Sequence, residues 1–247
     1  MGNKITRRNF LFLMGAGSAA FALAGCSETR SRSVTQPVSA PTAAVESSVP
    51  EPQEHAEAET EISAAGGKIL VVYFSVMETD GVDTVGGASR VVSAGNLFGN
   101  NEYVAQLIQR ETGGDVFAIE TVQDYPTTHQ PLLEFGHAEQ ASGTMPELAT
   151  HIKNFDDYAT IFIGYPIWNA DLPMPLYSFF EEYDFSGKTI IPFTVHGGSG
   201  FAGTRQTIAE LEPGATIVDD GLAISRNSVA DAEASVVDWV RGLGLSK

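Results

Sequence analysis

Cysteine is almost absent from this 247-residue chain, which carries only Cys26. A single cysteine excludes an intrachain disulfide and a metal centre built from several cysteine ligands. Basic residues are also scarce, because 14 Lys and Arg stand against 31 Asp and Glu and give a formal net charge of -17. So acidic a chain lacks the clustered positive charge that binds nucleic acid phosphates or anionic lipid. We therefore expect no nucleic acid partner.

The apolar stretch at residues 12–22 is too short to cross a bilayer comfortably. It follows a twin-arginine pattern, Thr6-Arg7-Arg8-Asn9-Phe10-Leu11, and ends at Leu23-Ala24-Gly25-Cys26. This order is typical of a signal peptide. The last four residues resemble the bacterial lipobox, whose cysteine is lipidated and becomes the mature N-terminus. The alternative is an ordinary N-terminal anchor helix with an incidental cysteine.

Bulky apolar side chains are nearly missing from residues 27–66, which are rich in Ser, Pro, Ala, Thr and Glu. Such a composition cannot bury enough surface to fold, so it predicts a flexible tether. The tether would join a signal peptide, residues 1–26, to a globular domain, residues 67–247. Twin-arginine export carries folded proteins, often with a cofactor loaded beforehand. The sequence thus predicts an exported, membrane-anchored lipoprotein outside the cytoplasm.

Residues 67–247 alternate between short apolar runs and stretches with helical periodicity, a pattern typical of a parallel sheet covered on both faces. The predicted strands are residues 68–74, 115–120, 160–165, 189–194 and 216–219. The predicted helices are residues 102–112, 134–142, 146–154, 173–182, 203–211 and 229–242.

Three of the predicted strands end in polar or aromatic loops. The first ends at Ser75, the third runs into Pro166-Ile167-Trp168-Asn169, and the fourth into Thr194-Val195-His196-Gly197-Gly198-Ser199-Gly200. Ligands bind at the carboxyl ends of the strands in an open parallel sheet. Glycines in the last loop allow the backbone to approach a ligand closely.

Taken together, these segments resemble the flavodoxin-like superfamily over most of residues 67–247. The matching segments are Val71-Val72-Tyr73-Phe74-Ser75, Gly99-Asn100-Asn101-Glu102-Tyr103-Val104-Ala105, Ile163-Gly164-Tyr165-Pro166-Ile167-Trp168, Leu172-Pro173 and Phe185-Ser186-Gly187-Lys188-Thr189, followed by Gly197-Gly198-Ser199-Gly200. The resemblance implies a three-layer α/β/α sandwich. Its five-stranded parallel sheet would have the order 2-1-3-4-5, with FMN at the topological switch point.

The resemblance places the FMN phosphate near Ser75, Gly99, Asn100 and Asn101. Asn100 or Asn101 would cap a helix starting near Glu102, whose first N–H groups would then point at the phosphate. Plain helix capping is the alternative role for these asparagines. The chain departs from the family by inserting residues 76–98 between strand and helix, as a hairpin or an excursion at the rim of the site.

The other two loops would hold the isoalloxazine ring of FMN. Trp168 would stack on the ring, or else pack on Leu172 or Met174 at the rim of the core. The last loop would offer backbone N–H groups to the pyrimidine edge, and His196 would add a donor or a positive charge. The full set of predicted ring contacts is Pro166, Ile167, Trp168, Asn169, Thr194, His196, Gly197, Gly198, Ser199 and Gly200.

The resemblance thus implies an FMN-binding redox protein in which FMN performs the electron chemistry, without a protein nucleophile or a metal. The predicted location outside the cytoplasm, where NADH and NADPH are scarce, implies that electrons would come from a membrane partner or a quinol. The protein would act as an electron carrier, or as a reductase of a small molecule such as a quinone. Trp168, Phe201 and the insert could form a substrate slot for the reductase. A flavodoxin fold that has lost FMN and serves as an interaction module is the alternative.

Overall fold

A computed structural model of the chain describes residues 67–79 and 90–247. The predicted signal peptide with Cys26, residues 1–26, and the predicted tether, residues 27–66, lie outside the described residues. Residues 80–89 of the predicted insert also lie outside them. Within the described part, none of the helices combines the length and the apolar character needed to cross a lipid bilayer.

In the described part of the chain, helices follow most strands of the main sheet, and two short 3₁₀ helices lie at Phe155–Asp157 and Arg226–Asp231. In chain order the elements are β1 (Lys68–Tyr73), β2 (Arg90–Ser93), β3 (Asn96–Gly99), α1 (Asn100–Thr112), β4 (Asp115–Ala118), α2 (His129–Ser142), β5 (Tyr158–Pro166), α3 (Met174–Glu182), β6 (Thr189–His196), α4 (Thr204–Leu211), β7 (Thr216–Ile217), β8 (Leu222–Ser225) and α5 (Glu233–Gly242).

The main sheet is parallel and has the order β4-β1-β5-β6-β7, with β8 also pairing to β6. Its positions follow the predicted order 2-1-3-4-5, but the sheet has six strands because two short ones share the last position. Ile190 accepts a hydrogen bond from Val218 on that edge. Two residues on, Pro192 faces the same edge and has no N–H to donate. The ladder is therefore interrupted between β7 and β8.

Both faces of the sheet are covered, as the predicted three-layer sandwich requires. Neighbouring residues of β1 point to opposite sides, so that Val72 joins one apolar core and Val71 the other. Side chains of α2, α3 and α4 complete the first core, and side chains of α1 and α5 complete the second. The α/β/α expectation is confirmed, and the carboxyl ends of β1, β5 and β6 meet at one edge.

One predicted helix is wrong. Residues 146–154 are not helical; instead, Leu148 forms an antiparallel bridge with Thr121. Val122 donates its N–H to the Glu147 carbonyl, and Ala149 donates to the Glu120 carbonyl. Pairing with residues 120–122 satisfies this backbone and overrides the helical pattern. The largest differences among the other helix starts are at α2, which begins at His129 and not at residue 134, and at α5, which begins at Glu233 and not at residue 229.

The end of the insert is a β-hairpin formed by β2 and β3. Its turn residues Ala94 and Gly95 both have positive φ, 51° and 81°, as a two-residue turn of type I′ requires. Of the two expectations for the insert, the hairpin is therefore confirmed for residues 90–99.

Candidate cofactor site

The end of β1 and the start of α1 meet at a junction formed by Ser75, Gly99, Asn100 and Asn101. A Cβ atom on Gly99 would overlap the Ser75 hydroxyl, so only glycine lets the strand end lie this close to the helix. Asn101 Oδ1 accepts a hydrogen bond of 3.1 Å from the Val195 N–H. This bond connects the start of α1 to β6 and passes the end of β5, which lies between β1 and β6 in the sheet. The start of α1 therefore lies beside the switch point between β1 and β5.

Three polar atoms at this junction are buried and have no hydrogen-bond partner within residues 67–79 and 90–247. They are Ser75 Oγ, Asn100 Nδ2 and Asn101 Nδ2. Buried polar groups are nearly always paired, and leaving one unpaired costs roughly 1–3 kcal/mol. All three atoms can donate a hydrogen bond, so the junction suits a ligand that is rich in acceptor oxygens.

The helix start differs from the predicted one. Asn100 is the first residue of α1, Gly99 occupies the N-cap position, and neither asparagine caps the helix with its side chain. The Glu102 carboxylate instead accepts the Gly99 N–H at 3.0 Å. A carboxylate is favourable at a helix N-terminus, but it would share this end of the helix with a bound phosphate.

Helix α2 is fastened to the carboxyl edge of the sheet at both of its ends. Near its start, the Thr79 N–H bonds to the Thr127 carbonyl at 2.6 Å, and the His129 ring bonds through Nδ1 to Glu78 Oε1 at 2.6 Å. Near its end, Gln140 Nε2 donates to the carbonyls of Trp168 and Leu172, at 3.0 and 3.1 Å.

A cavity of about 220 Å³ lies between α2 and the two loops that follow β5 and β6. Its lining combines apolar side chains, loop backbone and the Glu78–His129 pair. The residues that line it are Glu78, His129, Leu132, Leu133, Gly136, Ile167, Trp168, Asn169, Ala170, Gly197 and Ser199. The structure thus brings five of the predicted ring contacts to one cavity: Ile167, Trp168, Asn169, Gly197 and Ser199.

Trp168 belongs both to the cavity wall and to the core. Only 6% of the residue is exposed, and its ring meets Phe74 and Tyr125 edge to face with centroid distances of 5.6 and 5.5 Å. A Cβ on Gly136 would lie 3.1 Å from the indole, so α2 packs directly on this side chain. Leu172 belongs to the same core cluster.

The backbone at Asn169 and Ala170 forms a tight turn that sequence reasoning missed. Trp168 and Asp171 exchange both backbone hydrogen bonds, at 3.1 and 2.9 Å. The two residues between them have φ of 51° and 62°, the signature of a type I′ turn. Asparagine tolerates this conformation, whereas alanine is strained in it. The Asn169 amide donates to Gln140 Oε1 at 2.6 Å.

Some polar groups in and before the loop after β6 are already engaged in hydrogen bonds within the protein. His196 Nδ1 accepts the Gly198 N–H at 2.9 Å, so this N–H is already engaged. Burial lowers the pKa of His196, which favours the neutral imidazole over the predicted positive charge. Thr194 Oγ1 donates to the Tyr165 carbonyl at 2.6 Å and is fully buried, which gives it a structural role.

The remaining predicted contacts lie near the cavity without lining it. Pro166 is the buried last residue of β5, and Gly200 adopts a positive φ of 57° in the loop after β6. Phe201 lines a different surface depression together with Gly203 and Arg205. Phe201 is therefore not among the described residues that line the cavity with Trp168. The substrate slot predicted from Trp168, Phe201 and the insert also involves residues 80–89, which lie outside the described residues, so it stays a prediction.

Sequence reasoning missed the contribution of α2 to the cavity, including His129, Leu132, Leu133 and Gly136. It also missed Glu78, which lies 51 positions before His129. The helical pattern was visible in the sequence, but no local signal shows which loops a helix will cover.

The family comparison agrees with this arrangement of sheet, helices and loops. A family model described as flavodoxin matches residues 91–243, which is more than half of the chain. The chain belongs to the flavodoxin family. Its junction and cavity occupy the edge at which an open parallel sheet binds ligands.

Solved structures share the flavodoxin fold with this chain. Proteins assigned as flavoproteins from Bacteroides eggerthii and Bacteroides uniformis are 22% and 23% identical to it, with TM-scores of 0.52 and 0.53. These matches cover 72% and 71% of this chain and 98% and 99% of theirs. A flavoprotein in complex with FMN from Lactobacillus acidophilus matches at 13% identity and a TM-score of 0.47, over 68% of this chain and 99% of its own. No curated protein sequence matches the chain.

Proposed function

We propose that this flavodoxin-family protein binds FMN and performs electron transfer or the reduction of a small molecule. The observation that carries the proposal is the group of buried donors at Ser75, Asn100 and Asn101 that have no partner among the described residues, at the same carboxyl edge of the sheet as a partly apolar cavity. FMN consists of a flat aromatic ring with a hydroxylated chain that ends in a phosphate. Its site therefore needs hydrogen-bond donors for the oxygens and an apolar slot for the ring. Membership of the flavodoxin family supports the same cofactor.

The residues present fit this cofactor. Ser75, Asn100 and Asn101 would donate to its phosphate and ribityl oxygens, and Trp168 and Ile167 would hold the ring. FMN supplies the electron chemistry when bound. The protein's own contribution is to orient the ring and exclude water: the cavity wall includes the side chains of Leu132 and Leu133 as well as Trp168 and Ile167.

We also propose that the protein is exported by the twin-arginine route and anchored by lipid at Cys26. The signal pattern at residues 1–26 supports this, and it would place the flavin near a membrane electron donor such as a quinol. Replacing Cys26 with Ala should move the protein from the membrane fraction to the soluble fraction of fractionated cells. Membrane association that is unchanged in this variant would refute the lipid anchor.

A second candidate function is a flavodoxin fold that serves as an interaction module without FMN. One observation favours it, because the Glu102 carboxylate accepts the Gly99 N–H at the helix terminus where a phosphate would bind. The two candidates make opposite predictions for FMN retention.

The test is the visible absorption spectrum of the full chain after incubation with FMN and desalting. Retained flavin bands support the proposed function, whereas colourless protein supports the interaction module. Ser75→Ala sharpens the test, since Ser75 Oγ has no partner in the described part. This variant should lose FMN affinity about tenfold, the value of one hydrogen bond to a charged group, without losing stability as the apoprotein.

Ser178→Ala is the matched control for Ser75→Ala. Ser178 Oγ donates to the Pro146 carbonyl at 2.6 Å and lies outside the cavity lining. The control should lower the stability of the apoprotein and leave FMN affinity unchanged. Equal FMN affinity of the wild type and Ser75→Ala would show that the junction does not contact the cofactor.

A further inference from the structure

Glu78 and His129 form a buried pair on the cavity wall that the proposed function leaves unused. Their side chains are only 6% and 16% exposed, and His129 Nδ1 lies 2.6 Å from Glu78 Oε1. An ionised carboxylate only accepts hydrogen bonds, so Nδ1–H is the donor. Electrostatic interactions are stronger at such a partly buried site than in water, so the pair responds to charge that appears nearby.

We infer that the Glu78–His129 pair takes up one proton when a flavin ring in the adjoining cavity is reduced. The inference rests on the proposed function, since it requires FMN in the cavity. The proton adds to the pair while the Nδ1–Oε1 contact of 2.6 Å holds the two side chains together, so the charge of the pair rises by one. The pair then offsets the negative charge that the ring gains.

The electrons and protons of this step balance. A two-electron organic donor such as a quinol releases two electrons and two protons as it becomes the quinone. The ring accepts both electrons and one proton and gains one negative charge. The second proton goes to the Glu78–His129 pair, so the charge of the site as a whole does not change.

The pair is the titratable part of the cavity lining that the structure describes. Titratable groups on the surrounding elements are held by other partners or lie at the surface. Asp171 accepts from Tyr177 and from the Leu172 N–H. On α2, Glu139 accepts from Tyr125.

Two further groups on α2 are exposed, namely Glu134 and His137. Glu134 accepts a hydrogen bond from Gln130. His196, in the loop after β6, accepts from Gly198, and burial lowers its pKa. These groups are the competing sources of any proton uptake.

The experiment is a spectroelectrochemical titration of the FMN-loaded full chain between about pH 7 and 9, an interval that lies above the ordinary histidine pKa of about 6.5. Each proton taken up with two electrons changes the equilibrium constant for reduction tenfold per pH unit, or about 30 mV. Over part of this pH range, the equilibrium constant for reduction of the wild type should therefore change a hundredfold per pH unit. In His129→Gln and Glu78→Gln, this constant should change only tenfold per pH unit over the whole range.

His137→Gln is the matched control, because His137 lies on the same helix but is exposed and outside the cavity lining. It should keep the wild-type slope. Identical slopes for the wild type and both variants, with FMN retained, would overturn the inference and leave the proposed function standing. Failure of the wild type to retain FMN would overturn the proposed function and the inference with it.

A second measurement needs no variant and covers the case in which His129→Gln or Glu78→Gln fails to fold. The wild type is reduced in weak buffer, at the pH of its steepest slope, and the protons taken up per bound FMN are counted with an indicator dye. Two protons support the inference, and one proton, the share of the ring alone, refutes it.

Discussion

The two parts of the candidate site differ in how far the protein itself satisfies their polar groups. At the junction of β1 and α1, three buried donors have no partner among the described residues. Around the cavity, several polar side chains are paired within the protein, as Gln140 is with the Trp168 and Leu172 carbonyls and Glu78 is with His129. The cavity wall is thus held by hydrogen bonds within the protein, whereas the junction lacks partners that a ligand would supply.

Because of this difference, substitutions in the two parts of the site should affect different properties of the protein. Changes at the cavity wall should lower the stability of the apoprotein, because they remove interactions that exist without ligand. Changes at the junction should act mainly on FMN affinity. The predictions below test this division, beginning with the largest expected effect.

Replacing Trp168 with Ala should produce the largest loss of stability. The side chain is buried between Phe74, Tyr125 and Gly136, and removing such an aromatic costs about 3–5 kcal/mol. Urea denaturation of the apoprotein measures the free energy of unfolding. Trp168→Phe is the control and should lose less, since it keeps an aromatic ring in the same place. A loss below about 1 kcal/mol in Trp168→Ala would show that the cavity wall is not part of the core.

Gln140→Ala tests whether α2 depends on its bonds to the loop after β5. The variant leaves the Trp168 and Leu172 carbonyls without their donor, so we expect a loss of about 2 kcal/mol in the free energy of unfolding. Gln130→Ala is the matched control on the same helix, because Gln130 is exposed and bonds to Glu134 at the surface. Its cost should stay below about 0.5 kcal/mol. Equal effects of the two variants would contradict the proposed anchoring of α2.

Ala170→Gly should stabilise the protein by about 1 kcal/mol, because the left-handed conformation that strains alanine costs glycine nothing. The residue has φ of 62° in the turn beside the cavity. Ala138→Gly is the control, since Ala138 is exposed on α2 and its replacement should cost about 0.5–1 kcal/mol. Thermal denaturation of both variants shows whether each replacement raises or lowers the stability. A loss of stability in Ala170→Gly would show that its methyl group matters more than the backbone strain.

Glu102→Gln addresses the junction and should have the smallest effect. Removing the negative charge beside the expected phosphate should raise FMN affinity about fivefold, corresponding to about 1 kcal/mol. Stability should change little, because the glutamine oxygen can still accept the Gly99 N–H. Fluorescence titration with FMN measures the affinity, and Glu134→Gln, at an exposed carboxylate of α2, is the control. Unchanged affinity in Glu102→Gln would place the phosphate away from this helix terminus.

Local patterns were sufficient for most of the sheet. Apolar runs of β-branched and aromatic residues predicted the ends of β1, β5 and β6 to within two residues, because buried parallel strands need such runs. The helix predicted at residues 146–154 failed, since pairing with residues 120–122 satisfied the same backbone in another way. The positions of Trp168 and Gly197 on the cavity followed from their places after strands.

The sequence by itself determined the main strands and the loops at their carboxyl ends, because each depends on residues that are close along the chain, whereas the strand order was implied by the family resemblance. Only the tertiary structure decided that α2 covers this edge and that Glu78 meets His129 across 51 positions. It also decided that the junction holds buried donors without a partner among the described residues. These features depend on which elements pack together, and packing is set by the whole folded chain.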